Sequence, residues 1–430
     1  MTLTGRTALL AAVGMVGVFV IPHGWVLAAV DGGLLLAVLT DRALAVAPGA
    51  LALHRGGAGS ARLGETVAVH LTVTNPAGRT LRALVRDAWP PSASAAPRST
   101  RLVVPAAERR TVTTLLAPTR RGDQRAAFVA VRSLGPLGLA GRQGRLSAPW
   151  TVRVLPGFPS RRHLPGKLAA LRELTGGHAT QLRGHGTEFD SIRDYVAGDD
   201  VRSIDWRATA RRSDVAVRTW RPERDRRVVL VLDTGRTSAA RVGDVPRLDA
   251  ALDAALLMAA LASRAGDSVD LLAFDSRLRA AVTRAGRTGV LAAVVHATAT
   301  LQPALVEADM HAIVAEVLRR APRRCLVVLL TALDPAPVEQ GLLPVLGALT
   351  ARHEVVLAAV VDPAVAALAA GRGNASAVYA AAAAERTLAD RARMADTLRQ
   401  RGVAVVEAPP ATLASALADS YIARKAAGRL

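Results

Sequence analysis

The chain has 430 residues and a formal net charge of +20, with 51 % hydrophobic and only 3 % aromatic residues. That length accommodates two soluble domains and a membrane segment, and the single cysteine, Cys325, excludes an internal disulfide. The charge does not read as a nucleic-acid stripe: lysine occurs only at Lys167 and Lys425, arginine is scattered through every region, and the sequence has no zinc-finger spacing, recognition helix or aromatic-basic platform. A basic surface beside anionic lipid headgroups is the simpler explanation, worth about 1 kcal/mol per well-placed residue.

Residues 7–21 carry no charge, and 25–40 are apolar apart from Asp31, with Pro22-His23-Gly24 as a break between them. Each run falls slightly short of the roughly 20 residues that a hydrocarbon core of about 30 Å requires, a deficit that snorkelling or local thinning absorbs. The expectation is a transmembrane hairpin over 1–42, with a single tilted anchor as the alternative; with Arg6 inside, a hairpin returns the chain to the cytoplasmic side of a bacterial cell membrane. A cleaved signal peptide fits less well, because apolar character resumes after Trp25. Asp31 is the awkward residue, since a carboxylate in a bilayer needs a partner, a proton or a shallow position.

From 45 to 155 the period changes to two. Thr66–Asn75 alternates and ends in the turn cluster Asn75-Pro76-Ala77-Gly78, and further strands are expected at 81–86, 101–104, 111–116, 126–132 and 151–155. Many short strands with Pro- and Gly-rich joints imply a small all-β sandwich. Residues 156–226 read as a linker, with a short helix at 166–175, followed by a connector. From 227 to 430 apolar strands alternate with helices: strands at 228–232, 269–274, 325–331, 355–361 and 403–407, an antiparallel edge strand at 277–283, and helices near 248–264, 286–300, 309–320, 337–351, 376–401 and 411–426. That repetition means an α/β fold with a doubly wound sheet, whose ligand site lies at the carboxyl ends of the strands.

The densest mixture of residue types lies in 186–220, within the connector. Gly198-Asp199-Asp200 is turn chemistry, so the two halves are expected to fold back on each other. Arg193, Arg202, Arg207 and Arg211 alternate with Asp190, Asp194, Asp199, Asp200 and Asp205, which suggests forked charge-assisted pairs. Two readings follow: a rigid ion-paired connector with aromatic anchors, or a docking face, since Trp, Tyr and Arg are the usual anchors of interface hot spots. The structural role is expected for Asp205 and Trp206, the contact role for Glu188 and Arg193. The run Gly186, Glu188, Phe189, Arg193, Tyr195, Gly198, Asp199, Asp200, Arg202, Ile204, Asp205, Trp206, Ala210 and Arg211 closely resembles the pattern of the bacterial family known as domain of unknown function 58, whose members carry it just before a von Willebrand factor A-like domain. Pro118–Gly122 and Gly135–Leu139 extend the resemblance upstream.

The resemblance implies a von Willebrand A-like domain, partnership with a MoxR-type AAA+ ATPase, and presentation or assembly of a client protein. Such a domain places Asp-x-Ser-x-Ser after its first strand to hold Mg2+, an ion that demands near-octahedral oxygen. Here the run is Asp233-Thr234-Gly235-Arg236-Thr237-Ser238, and the second loop is Thr331-Ala332-Leu333-Asp334. Asp233 and Thr237 fit, Thr331 and Asp334 complete the candidate set, and Gly235 and Ala332 each lack an oxygen that the pattern wants; the expectation is a degenerate site with no cofactor, in which Asp233 caps the following helix.

Other chemistry is thin. His178 and His185 read as loop histidines, Asp249 and Asp253 as a solvated helix face, and Cys325 as a buried hydrophobe. No nucleophile, base and oxyanion donor assemble. The overall expectation is a membrane-anchored, non-enzymatic adaptor. Its rivals are a metal-assisted hydrolase using Asp199 and Asp200 with Asp205 or Glu188, and a basic binder of anionic lipid or nucleic acid.

Overall fold

The computed structural model describes residues 2–21, 23–178, 188–196, 200–212, 214–221, 226–283 and 289–429. Internal contacts divide the chain into two compact units, Met1–Gly157 and Phe158–Leu430.

In the first unit β1 (Thr2–Leu3) leads into helices α1 (Gly5–Val20) and α2 (Gly24–Leu44), which pack on each other. Their large apolar side chains face outward; Met15, Phe19, Trp25 and Leu36 are exposed. The helical stretch Gly24–Ala50 is long and apolar enough to cross a membrane, with a mean hydropathy of 1.5 and 11 % of its apolar window buried, whereas α1 is apolar but shorter.

The strands that follow are β2 (Ala52–Gly57), β3 (Ser60–Arg62), β4 (Val67–Thr74), β5 (Leu81–Ala88), β6 (Thr100–Val104), β7 (Arg109–Leu116), β8 (Gly122–Arg125), β9 (Phe128–Leu134), β10 (Ala140–Leu146) and β11 (Thr151–Leu155). They form a sandwich-like array of sheets in the orders β1-β10-β9-β5-β6, β2-β4-β7 and β3-β11-β8. Period-two alternation is visible along β5, where Leu81, Ala83, Val85 and Asp87 are buried and the residues between them are not. Leu71 and Val73 of β4 meet Leu81, Val85, Val104, Val129 and Val131 in the core. Asp87 is the polar member of that inward row. It pairs with buried Arg55 and accepts from Trp89 Nε1 at 2.9 Å and Thr114 Oγ1 at 3.2 Å.

The helices are fastened to the sheet at one loop. Asp41, fully buried near the end of α2, accepts hydrogen bonds from the backbone N–H groups of Leu137, Leu139 and Ala140 at 2.7–2.8 Å. Thr4, at the start of α1, donates its hydroxyl to the carbonyl of Gly138 at 2.7 Å. The start of α1 and the end of α2 therefore meet the same Gly135–Leu139 loop, as an antiparallel pair requires. A β-carbon at Gly135 would fall 2.2 Å from the Asp41 carboxylate, so glycine is what allows the loop to close around it.

The second unit opens with α3 (Leu164–His178), longer than the short helix expected within the linker, and it packs on α6 and α13 of the α/β part. β12 (Glu188–Asp194), α4 (Trp206–Arg212) and β13 (Ala216–Arg221) follow. The α/β part runs β14 (Arg227–Asp233), α5 (Arg236–Ala239), β15 (Arg241–Val242), β16 (Val245–Pro246), α6 (Arg247–Arg264), β17 (Ser268–Phe274), β18 (Leu278–Val282), α7 (Val290–Thr298), α8 (Met310–Arg320), β19 (Leu326–Leu330), α9 (Pro335–Pro337), α10 (Leu343–Thr350), β20 (Glu354–Val360), α11 (Pro363–Ala369), α12 (Ala375–Gln400), β21 (Val403–Ala408) and α13 (Pro410–Ala426). Its six-stranded sheet has the order β18-β17-β14-β19-β20-β21, parallel except for the antiparallel edge strand β18. The strands are apolar on both faces because helices cover both. Val229, Val231 and Leu329 pack with Met310, Val317, Leu346 and Leu398 of α8, α10 and α12, while α6 lies against β14, β17 and β20.

Asp253 of α6 departs from the solvated helix face expected for it. It is buried and accepts from Ser160 at 2.8 Å through the hydroxyl and at 3.2 Å through the backbone N–H. An acid at this position serves the preceding segment, which helical spacing alone does not reveal.

The Asp41 clamp has a direct test. Asp41→Ala leaves three backbone donors without their acceptor, at about 1–3 kcal/mol each. Denaturant titration of the detergent-solubilised full chain should show a loss of at least about 3 kcal/mol, and Gly135→Ala should lower the midpoint as well. An unchanged midpoint for Asp41→Ala would show that the clamp contributes nothing.

Candidate functional site

The order of the sheet places a reversal beside β14. From β14 the chain crosses to β17 on one side and later returns to β19 on the other, so a crevice opens at the carboxyl ends of β14 and β19. Asp233 closes β14 there and is 3 % exposed. Its Oδ1 accepts from the Gly235 N–H at 2.7 Å, and its Oδ2 accepts from Thr237 Oγ1 at 3.0 Å and Thr331 Oγ1 at 2.6 Å. Burial holds the Asp233 carboxyl above the ordinary carboxylate range; the hydrogen bonds from Thr331, Gly235 and Thr237 oppose that rise, and nearby Asp275 adds to it.

Three of the four candidate metal ligands thus converge, but around a carboxylate whose oxygens the protein itself supplies with donors. The fourth, Asp334, turns to Arg247 at 3.3 Å. Position 235 is closed as well as empty of oxygen: a β-carbon there would lie 3.0 Å from Asp233 Oδ1 and 3.0 Å from the Val306 carbonyl. The segment ahead of α8 is bonded across this point, with Arg236 N–H donating to the Val306 carbonyl and Ala304 N–H to the Thr234 carbonyl, each at 2.8 Å. This donor set does not fit an octahedral Mg2+ shell.

Asp275, directly after β17, was missed in the sequence reading. It is buried beside Thr234, whose hydroxyl lies 3.4 Å from its Oδ2, and Arg279 approaches the same oxygen at 3.5 Å. Its signal was available: it follows the apolar strand Val269–Phe274 as Asp233 closes its own strand.

The connector folds as a two-stranded antiparallel ladder, β12 on β13, with Glu188 opposite Arg221, Phe189 opposite Trp220 and Asp194 opposite Ala216. Its two halves do fold back on each other. Gly198 and Asp199 lie outside the described residues, as do the side chains of Glu188 and Phe189 and the whole of His185. Between the strands sit a 3-10 turn, Val201–Ser203, and α4. Asp200 caps the turn by accepting from the Arg202 N–H at 3.0 Å. Asp205 caps α4, its Oδ1 accepting from the N–H groups of Arg207 at 3.0 Å and Ala208 at 3.1 Å. Its Oδ2 takes Arg218 Nε at 2.7 Å.

The ion pairing therefore differs from the expected one. Asp205 is tied to Arg218 of the returning strand, while Asp200 serves one backbone amide, that of Arg202, and Arg193 donates to the Asp194 carbonyl at 3.0 Å. Arg202 and Arg211 are exposed, with no carboxylate partner among the described residues. The larger correction concerns Trp206, expected as a core anchor and found 68 % exposed. It is the first residue of α4, and Asp205 at the cap holds the helix start at the surface. Tyr195, Val196, Val201 and Val215 are exposed in the same connector.

Two outcomes follow. Because the oxygens of Asp233 are filled by Gly235, Thr237 and Thr331, adding Mg2+ to the purified protein should barely move its thermal midpoint; a saturable, chelator-reversible rise at submillimolar ion would overturn this, since such a rise tracks the logarithm of ligand over Kd. Arg218 and the cap amides hold Asp205 below the ordinary carboxylate range. The stability this gives is present above the unfolded carboxylate pKa and is lost as pH falls through the lower folded value. Asp205→Ala should accordingly lower the thermal midpoint at neutral pH, with the gap to the wild type narrowing in acid. A gap that is constant with pH would refute the ionic part of the role.

A family model described as "Protein of unknown function DUF58" matches residues 191–405. The chain is 32 % identical over 197 residues to the Uncharacterized protein Mb1516 of Mycobacterium bovis and to the Uncharacterized protein Rv1480 of Mycobacterium tuberculosis, covering 44 % of this chain and 60 % of each relative. It thus spans about 60 % of the length of the curated relatives it matches. Among solved structures, the CARDB domain of the PF1109 protein from Pyrococcus furiosus is 14 % identical with a TM-score of 0.18, over 24 % of this chain and 91 % of that one. The PKD domain of an M14-like peptidase from a Thermoplasmatales archaeon is 14 % identical with a TM-score of 0.16, over the same 24 % and 91 %. Scores this low carry no argument, and the sandwich rests on its own strand pairing. The model spans the returning strands of the connector and nearly the whole α/β part up to β21, and on that match the chain belongs to the DUF58 family.

Proposed function

We propose that this protein is a membrane-anchored adaptor whose von Willebrand A-like domain binds a MoxR-type AAA+ ATPase and a client protein, and that the connector is the surface the ATPase meets. The observation that carries this reading is Trp206, 68 % exposed at the head of α4 in a chain with only five tryptophans. A solvent-facing indole flanked by Arg202, Arg207 and Arg211, with Val201 exposed nearby, has the composition of an interface hot spot.

The α/β sheet supports a von Willebrand A-like reading through its order and through Asp233 at the reversal. The chemistry there favours recognition over catalysis. Asp205 spends its oxygens on two backbone amides and Arg218, which leaves it poorly placed as a metal-bridging acid of a hydrolase, and Asp200 accepts from the Arg202 N–H at the turn. The client would be engaged at the carboxyl edge of the sheet around Asp233, Thr237, Thr331 and Asp334, where Leu305 and Val306 add exposed apolar surface. Nucleotide chemistry belongs to the ATPase.

Membrane anchoring is supported by the apolar helices and by the shared Gly135–Leu139 loop. Since α1 leaves that loop and α2 returns to it, a hairpin that crosses twice keeps the rest of the chain on one side, the cytoplasmic one by the position of Arg6. Asp31 is exposed on α2 and needs a shallow position or a proton in that arrangement.

The test compares stability and partner retention in one variant. Trp206→Ala should stay within about 0.5 kcal/mol of the wild type, as exposed substitutions do, while an AAA+ ATPase that co-purifies from detergent-solubilised membranes is lost. Retention of the ATPase by a normally folded Trp206→Ala protein, or its absence from the wild-type pull-down, would refute the proposal.

A further inference from the structure

At the amino edge of the same sheet, opposite the Asp233 crevice, a cavity of about 470 Å³ opens where β19, β20 and β21 begin. Arg324, Arg352, Arg401 and Arg429 line it, with His353 on its wall and Glu354 as its carboxylate. The volume lies in the range of small-molecule sites, roughly 300–1,000 Å³.

The charge in this cavity is not accounted for by the protein alone. Glu354 is already engaged by Arg424 at 3.3 Å, Arg429 at 3.2 Å and, more distantly, Arg324 at 3.9 Å. Helices α10 and α12 end beside it, and each helix C-terminus supplies roughly half a negative charge. Together with Glu354 these offset about two of the four lining guanidiniums. Arg352 has no carboxylate partner among the described residues, and Arg401 reaches only the Leu343 carbonyl at 3.3 Å.

His353 supplies the independent observation. It is 4 % exposed, and its Nε2 is buried with no hydrogen-bond partner in the protein. A buried polar atom left in this way calls for an explanation. On the other side of the ring, Nδ1 lies 3.4 Å from Cys325 Sγ. Burial pushes the Cys325 thiol up to about 11, so it keeps its proton and can donate to Nδ1. Burial and Arg352 hold the imidazole below its ordinary range, so the ring is neutral at pH 7, and a thiol proton donated to Nδ1 would leave the ring's own proton on Nε2. The result is an unpartnered ring nitrogen on a residue that lines a cavity with surplus guanidinium charge.

We propose that this cavity binds a phosphate monoester, with Arg352 and Arg401 holding the phosphate oxygens beside His353. Guanidinium forks match phosphate geometry, and charge-assisted bonds of this kind are the stronger ones. The volume beyond a single phosphate takes the esterified group. That group can come from a free nucleotide or from a phospholipid headgroup, and the probes below separate the two.

Isothermal titration of the full-length protein in neutral detergent, with adenosine monophosphate, glycerol 3-phosphate and inorganic pyrophosphate, tests it. Saturable heat is expected for at least one monoester, and Arg352→Ser combined with Arg401→Ser should weaken that binding at least tenfold. Both side chains are exposed, so the double variant is expected to fold, and its thermal midpoint checks this. Preference for adenosine monophosphate identifies a nucleotide, and preference for glycerol 3-phosphate identifies a headgroup. No heat with either monoester, tighter binding of pyrophosphate than of both, or equal affinity in the double variant overturns the assignment. None of the residues lining the site belongs to the connector, so retention of an ATPase in the pull-down is read separately from these results.

Discussion

A buried carboxylate must be met by donors, and at four positions that join the elements of this chain the donors are mainly backbone amides and hydroxyls. Asp41 takes three loop N–H groups, Asp205 takes two helix N–H groups with an arginine, Asp233 takes one N–H and two threonine hydroxyls, and Asp253 takes both donors of Ser160. Each joins elements distant in sequence or fixes where one begins. Asp41 ties the end of α2 to the β9–β10 loop, and Asp233 ties the end of β14 to the loop after β19. The same economy has a chemical consequence. A carboxylate that already accepts three hydrogen bonds has little left for a cation, so Asp41, Asp205 and Asp233 build structure and leave outward chemistry to other residues.

What faces outward is mainly arginine, with a few exposed aromatics. The connector presents Trp206 with arginines around it, and the amino edge of the sheet presents a cavity with more guanidinium than carboxylate. Both are recognition chemistry. Neither brings a nucleophile, a base and an oxyanion donor together. The surplus charge of +20 is therefore informative only when it is located. Most of it is dispersed, and the functional part is the small fraction that geometry leaves without an acid.

Periodicity made most of the α/β part legible. Continuous apolar runs such as Val228–Leu232 and Leu326–Leu330, alternating with helical segments, point to a covered parallel sheet, and the antiparallel edge strand expected at 277–283 forms over Leu278–Val282. The sandwich was less complete. β2 and β10 were not anticipated, because Ala-Leu-His-Arg-Gly-Gly and Ala-Gly-Arg-Gln-Gly-Arg-Leu carry glycine and arginine where a strand usually shows β-branched residues; their neighbours in the ladder hold them extended. Trp206 misled for a related reason. Hydrophobicity suggested burial, but a cap residue immediately before it fixes the helix start, and nothing in the local pattern says which way the first helical side chain points. Asp41 gave no signal at all, since its three partners lie about a hundred residues away.

The degenerate metal motif illustrates why a ligand lost from a pattern differs from a ligand lost from a site. On sequence grounds, restoring serine at position 235 would return one missing oxygen. The structure argues against that repair. A β-carbon there would crowd Asp233 Oδ1, the Val306 carbonyl and, at 3.2 Å, the Ala308 N–H. Two of these three neighbours are backbone, which cannot swing aside as a flexible side chain does, and the segment is bonded through Arg236 N–H to Val306 and through Ala304 N–H to Thr234. A hydroxyl at 235 would have to displace that segment before it could reach a cation, and Asp334 would still have to leave Arg247. The loop closes tightly around Gly235, so Asp233 serves as the hydrogen-bond hub of the crevice, and a single serine substitution there does not create a metal site.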